Sequence, residues 1–189
     1  MTTLPKCYLV YSSADADEAA RFVEVFDSQH AFLLFHAESG VDQEIANCFG
    51  RHEVLKKIRE RWLRDSIITI VLIGASDSSP EKIDLEIAAS LYEDASCHRS
   101  GLLGISLPSA AKAAMRMPPR FADNWAHGTG YARWYRYPED AAALESMIAD
   151  ALDARATRAD LVNNQRPLME SVLTLARERT LTDSRETPK

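Results

Sequence analysis

The sequence predicts an α/β protein with a parallel sheet of about five strands flanked by helices. Three observations predict it. Short apolar, β-branched runs alternate along the chain with amphipathic stretches of helical period. The run SIITIVLIG at 66–74 is interrupted only by Thr69, as a central strand buried on both faces requires. Connections between the runs are long enough for crossover helices, and right-handed crossovers then give a flavodoxin-like arrangement with helices on both sides. A chain of 189 residues supports one domain with a proper core and a tail.

The first strand is CYLVYS, residues 7–12. Asp15 with Glu18 reads as a capping-box variant, and Ala19, Phe22, Val23 and Phe26 follow at helical spacing. FLLF at 32–35 is the second strand, followed by a long polar stretch, 36–52, of the length often given to functional loops. Val54, Leu55, Ile58 and Trp62 mark the next helix, and SIITIVLIG the third strand. Ser79 suits a cap and Pro80 a first helical position, with Ile83, Ile87 and Leu91 as the core stripe. LLGISL at 102–107 is the fourth strand. Residues 108–130 read as irregular, with a short helix near 110–115, and 132–135 as the fifth strand. A helix is expected from Pro138 through Leu152, with Glu139 and Asp140 at its positive end. A last helix is expected over 161–178, with Leu168, Val172 and Leu175 on one face, and a frayed tail at 180–189. The domain reading is therefore 1–157, a C-terminal helix at 158–179 packed on it or used in association, and the tail.

Composition excludes several classes. Apolar content is 46% and charged content 26%, and the net charge of −6 argues against a phosphate-backbone partner, so no nucleic acid is expected. Cys7, Cys48 and Cys97 match no zinc or CxxC spacing and fit a reducing compartment. The five histidines show no paired-ligand spacing, so no metal is expected. No stretch reaches the length of a membrane span, and the start of the chain lacks a long apolar leader, which points to a cytoplasmic protein without a membrane partner. GxGxxG, GxxxxGK[ST] and GxSxG are all absent, which disfavours a standard dinucleotide fold, a P-loop NTPase and an α/β-hydrolase.

Polar segments follow three consecutive strands: YSSADAD, HAESGVDQE and GASDSSPEK. In a parallel sheet these share one edge, the edge where open α/β folds bind ligands. The expected cleft is lined by Ser12, Ser13, Asp15, His36, Glu38 and Ser76, with Glu86 nearby. Plainer roles compete with this one. Ser13, Asp15 and Ser79 suit helix caps, His36 a polar loop, and a glutamate such as Glu86 a solvated helix face.

Four segments resemble the TIR-like domain of the Thoeris ThsB type, a bacterial anti-phage defence family. They are CYLVYSSADAD, IRERWLRDSIITIVLIG, KIDLEIAAS, and GLLGISLP followed by PPRFADN, spanning about residues 6–124. The resemblance implies an enzyme that cleaves NAD+ between nicotinamide and ribose. It implies that the ADP-ribose part becomes a cyclic or conjugated signalling nucleotide that activates a separate effector. By matching position Glu86 is the catalytic residue. Tyr11, Ser12, Ser13, Asp15, His36, Ser76 and Lys82 are the residues expected to bind the substrate beside it. NAD+ is then a substrate, with no tightly bound cofactor, and the partners are that effector, a phage-derived trigger and further copies of the chain. Lys82 and Leu85 stand where the family often has tryptophan, and His36 where it often has aspartate. Two other readings remain open at this stage: a non-catalytic TIR-like interaction or sensor module, and a glycosyl-transfer enzyme of the nucleoside deoxyribosyltransferase kind, with the same carboxylate as nucleophile.

Overall fold

A computed structural model describes residues 5–27, 33–35, 51–75, 80–112 and 116–168. Among these, the strands β1 (Lys6–Val10), β2 (Leu33–Phe35), β3 (Ile68–Ile73), β4 (Gly101–Ser106) and β5 (Arg133–Tyr135) form one sheet in the order β2-β1-β3-β4-β5. Every pairing is parallel, and Tyr8 lies opposite Thr69. The chain leaves β1 in one direction towards β2 and crosses to β3 in the other. The order therefore reverses between β1 and β3, the place where such sheets open a crevice at their carboxyl edge.

The helices are α1 (Ala16–Asp27), α2 (Arg51–Ile58), α3 (Pro80–Ser90), α4 (Pro119–Trp125) and α5 (Ala141–Thr157). Strand side chains alternate between two cores. Cys7 and Leu9 of β1 and Ile68, Ile70 and Leu72 of β3 pack with Phe22 and Phe26 of α1 and Leu144 and Ile148 of α5. Tyr8, Val10, Val71 and Ile73 pack on the other face with Val54, Leu55 and Ile58 of α2, Ile83 and Ile87 of α3, and Phe121 of α4. All six residues of β3 are buried, as the uninterrupted apolar run requires. A Cβ on Gly104 would collide with the Phe121 ring, so this glycine is what lets α4 lie against β4. No helix among the described residues is long and apolar enough to cross a membrane.

Four expectations change. Residues 108–130 are not simply irregular: Pro108–Lys112 is a 3-10 helix, and Pro119 opens α4 at the first helical position. The rest of the short helix expected near 110–115 lies outside the described residues, as do Ser79 and most of the loop at 36–52. His52 belongs to α2, which runs on through a wide π-type turn at Arg59–Leu63. The helix expected from Pro138 begins at Ala141, because Asp140 is its cap and accepts the Ala143 N–H at 2.8 Å. Residues 162–168 are not the start of a helix. They form a strap that hydrogen-bonds to α2, α3 and α4 and buries Leu168 in the core, while 169–178 lie outside the described residues.

The strap is held by arginine and asparagine. Arg120 is fully buried and uses all five of its N–H donors. Nε and one terminal nitrogen grip Asp84 of α3 at 2.9 and 2.8 Å. The others donate to Asn164 Oδ1 at 3.0 Å and to the Arg166 and Pro167 carbonyls at 2.9 and 3.1 Å. Asn124 exchanges two hydrogen bonds with the Asn163 backbone, at 2.8 and 2.9 Å. Asn164 donates to the Ala88 carbonyl of α3 at 2.9 Å.

Candidate active site around Glu86

Glu86 sits in the second turn of α3, and α3 packs over β1 and β3. Helical spacing turns it inward beside Ile83 and Ile87, so it is 1% exposed. The Tyr8 hydroxyl of β1 donates to Glu86 Oε1 at 3.1 Å. Glu86 Oε2 is buried and has no hydrogen-bond partner among the described residues. Beneath it, Thr69 shares the sheet face and the register position of Tyr8, and its hydroxyl is also unpartnered. Burial dominates the electrostatics and raises the Glu86 carboxyl to about 7. The Lys82 charge and the Tyr8 hydrogen bond act the other way, favouring the ionised form. Lys82 lies one turn before Glu86 and is half-buried.

The loop after β1 meets the loop after β3 through Asp15. Asp15 is buried, and the Gly74 N–H donates to its carboxylate, which favours the charged form. Burial and the neighbouring Glu18 charge outweigh that bond and raise its pKa. A Cβ on Gly74 would strike this carboxylate, so glycine is required for the approach. Asp15 directly precedes α1, and its carboxylate also reaches across to β3. It closes the last turn of a 3-10 helix at Ser13–Asp15 and ties β1 to β3. Glu18, the other half of the expected capping box, accepts the Ser109 N–H at 3.2 Å, and Ser109 Oγ accepts the Ala75 N–H at 3.2 Å. The ends of β1, β3 and β4 are thus laced together at the carboxyl edge.

Other expected site residues fall in different places. Ser12 is buried and Ser13 exposed at this edge. Tyr11 packs into the core of α1 and α5, on the opposite sheet face from Glu86. His36, Glu38 and Ser76 lie outside the described residues. Tyr8 was missing from the expected set, because in the sequence it is one apolar strand residue among several. Also missing was a cleft of about 460 Å³ at the carboxyl edge of β4 and β5. Trp134, Tyr137 and Arg136 line it, and the Trp134 indole N–H is fixed on Ser106 Oγ at 3.1 Å.

The family model for the TIR-like domain of the Thoeris protein ThsB matches residues 8–112, more than half of the chain. The chain belongs to this family. As a ThsB TIR-like domain it is a component of Thoeris defence. The match runs from β1 through the 3-10 helix after β4 and so contains Tyr8, Asp15, Lys82 and Glu86. Helix α4, strand β5, helix α5 and the strap lie beyond it. No match was found among curated proteins, and none among solved structures.

Proposed function

We propose that this ThsB TIR-like domain cleaves the bond between nicotinamide and ribose in NAD+ and turns the ADP-ribose part into a cyclic or conjugated nucleotide that activates a separate effector. The observation that carries this reading is Glu86: a buried carboxyl, one oxygen held by Tyr8 and the other unpartnered among the described residues, poised near neutrality. The bond to nicotinamide breaks with its electron pair leaving on the neutral nicotinamide nitrogen, and the ribose carbon gains oxocarbenium character. An ionised Glu86 stabilises that positive charge from a dry site, where it acts with least screening. A hydroxyl of the same or a second molecule then attacks the carbon and loses its proton. Oε2 is free to accept a ribose hydroxyl, while Tyr8 keeps the carboxylate from rotating.

Binding of the rest of the substrate is assigned to the carboxyl edge. Trp134 and Tyr137 offer aromatic faces to a base, and Arg136 offers a cation to a phosphate. At 1% exposure Glu86 touches no substrate in this conformation, so turnover requires α3 to yield over β1. We assign that step to self-association in the presence of a phage-derived trigger.

The test is incubation of the triggered, assembled protein with NAD+ and mass analysis of products. Nicotinamide release that disappears in Glu86→Gln is expected. Equal release by wild type and variant would remove Glu86 from the mechanism. The deep burial of Glu86 also favours a second reading, a non-catalytic interaction module in which the carboxyl only shapes the core. Assembled, triggered protein that leaves NAD+ intact decides for it. Nucleobase exchange on deoxynucleosides, run in parallel, separates the deoxyribosyltransferase kind of chemistry.

A further inference from the structure

At the amino edge of the sheet, where β3 and β4 begin, lies a cleft of about 580 Å³. It is at the opposite edge from the laced loops. Arg59, Arg64 and Arg155 line it, with Ser66, Cys97 and His98 between them. One carboxylate, Glu60, shares the lining, and it already has Lys56 at 4.0 Å. In a chain of net charge −6, three guanidinium groups in one cleft are not a product of composition.

Among the described residues no carboxylate pairs with these arginines. Arg59 is 4% exposed and has only neutral acceptors. They are Ser100 Oγ at 2.6 Å, the His98 carbonyl, and the Ser90 and Ser66 carbonyls at 3.4 and 3.5 Å. Arg120, also buried, shows the alternative, since Asp84 neutralises it in a two-pronged contact. Arg155 donates Nε to the Arg99 carbonyl at 2.7 Å and pairs with no carboxylate among the described residues. Arg64 is exposed and has no such partner among them either. Burial and the repulsion of Arg155 both weaken the hold of Arg59 on its proton, as two cations sharing a cleft must. The carbonyl end of α3 sends negative partial charge towards this edge, but Arg59 already occupies it through Ser90.

We propose that this cleft binds a small phosphate-bearing molecule, with Arg64 and Arg155 on the phosphate oxygens and Arg59 as a fixed positive floor. The guanidinium fork matches phosphate geometry, and the volume suits a nucleotide-sized ligand. The site is independent of Glu86 and of the reaction assigned to it.

Calorimetric titration of the full chain with pyrophosphate, and separately with AMP, tests this. Saturable binding of at least one, with a dissociation constant below about 1 mM, is expected. Arg64→Gln and Arg155→Gln should each weaken it about tenfold, since each removes a charged hydrogen-bond donor. Glu86→Gln should leave it unchanged. Stronger binding of AMP would identify a nucleotide site, and stronger binding of pyrophosphate a site for the phosphate group itself. Three results would overturn the proposal. One is no saturable binding of either probe, and another is unaltered affinity in both arginine variants. The third is equally tight displacement by polyglutamate, which would assign the cleft to an acidic protein partner.

Discussion

Glu86 is held by two weak influences against one strong one. Burial drives its carboxyl up to about 7, and Lys82 and Tyr8 hold it there by favouring the charge. If the ionised carboxylate stabilises the oxocarbenium, nicotinamide release rises with pH through an inflection near that value. Tyr8→Phe removes a bond to the charged form, so its inflection should move to higher pH with the fold intact. Lys82→Met should move it the same way. Initial rates from pH 5.5 to 9 measure both, and an unmoved inflection in the two variants would detach the titration from Glu86. Thr69 offers a stability test on the same face. Its hydroxyl is buried without a partner among the described residues, so Thr69→Val should raise the unfolding free energy by about 1 kcal/mol, measured by urea titration. The place of Glu86 after the central strand was legible in the sequence, because strand, loop and helix fix it locally. Its partner was not, because Tyr8 lies 78 residues away and only the folded sheet brings it under α3.

Helix α3 owes its position to a clamp rather than to an amphipathic pattern. Asp84 to Ser90 are all buried, so no polar face remains to orient it. Arg120 on α4 grips Asp84, two residues from Glu86, and the same guanidinium gathers the strap at 162–168. Arg120→Ala strands a buried carboxylate and several strap carbonyls. It should cost about 3–5 kcal/mol of unfolding free energy. Asn164→Ala removes the hydrogen bond to Ala88 and the Oδ1 acceptor that Arg120 and Arg51 share, but leaves the Arg120–Asp84 pair intact, and should cost about 1.5–3 kcal/mol. Denaturant midpoints give both, and equal costs would mean that the ion pair does not dominate the clamp. The strap explains why residues 162–168 depart from the helix that the pattern predicts. Leu168 at helical spacing with Val172 and Leu175 satisfies a helix pattern, yet residue 168 reaches the core through an extended segment. What straightens it is a set of donors from Arg51, Arg120 and Asn124, 39 to 115 residues away, which no local window contains. Helix α4 was missed for the opposite reason: at seven residues it is too short to show a period, though Pro119 marked its start.

Across the whole molecule, strand order and layering follow from chemistry that is legible along the chain. β3 is apolar at every buried position except Thr69, so it must be central, and right-handed crossovers then put α1 and α5 on one face and α2, α3 and α4 on the other. What the one-dimensional pattern cannot show is the cost of placing an ionisable group inside that sandwich. In the unfolded chain Glu86 titrates near its ordinary 4.5, and in the folded protein near 7. The protonated form is therefore preferred by the fold. The stability this group contributes is complete below the unfolded value, declines as the unfolded chain ionises above it, and is lost once pH passes the folded value. A shift from 4.5 to about 7 is worth roughly 3 kcal/mol. Glu86→Gln, which keeps the shape and cannot ionise, should be more stable than wild type by about that amount above pH 7. The difference should shrink steadily as pH falls from 7 and vanish near 4.5. Comparing the two proteins at each pH cancels the other carboxylates, which titrate in both. Chemical denaturation at intervals between pH 4.5 and 8 reads the difference directly. A gap that keeps widening up to pH 8 instead of levelling off above 7 would show that Glu86 is not ionised inside the fold, and the anion required for oxocarbenium stabilisation would then be missing from the resting site.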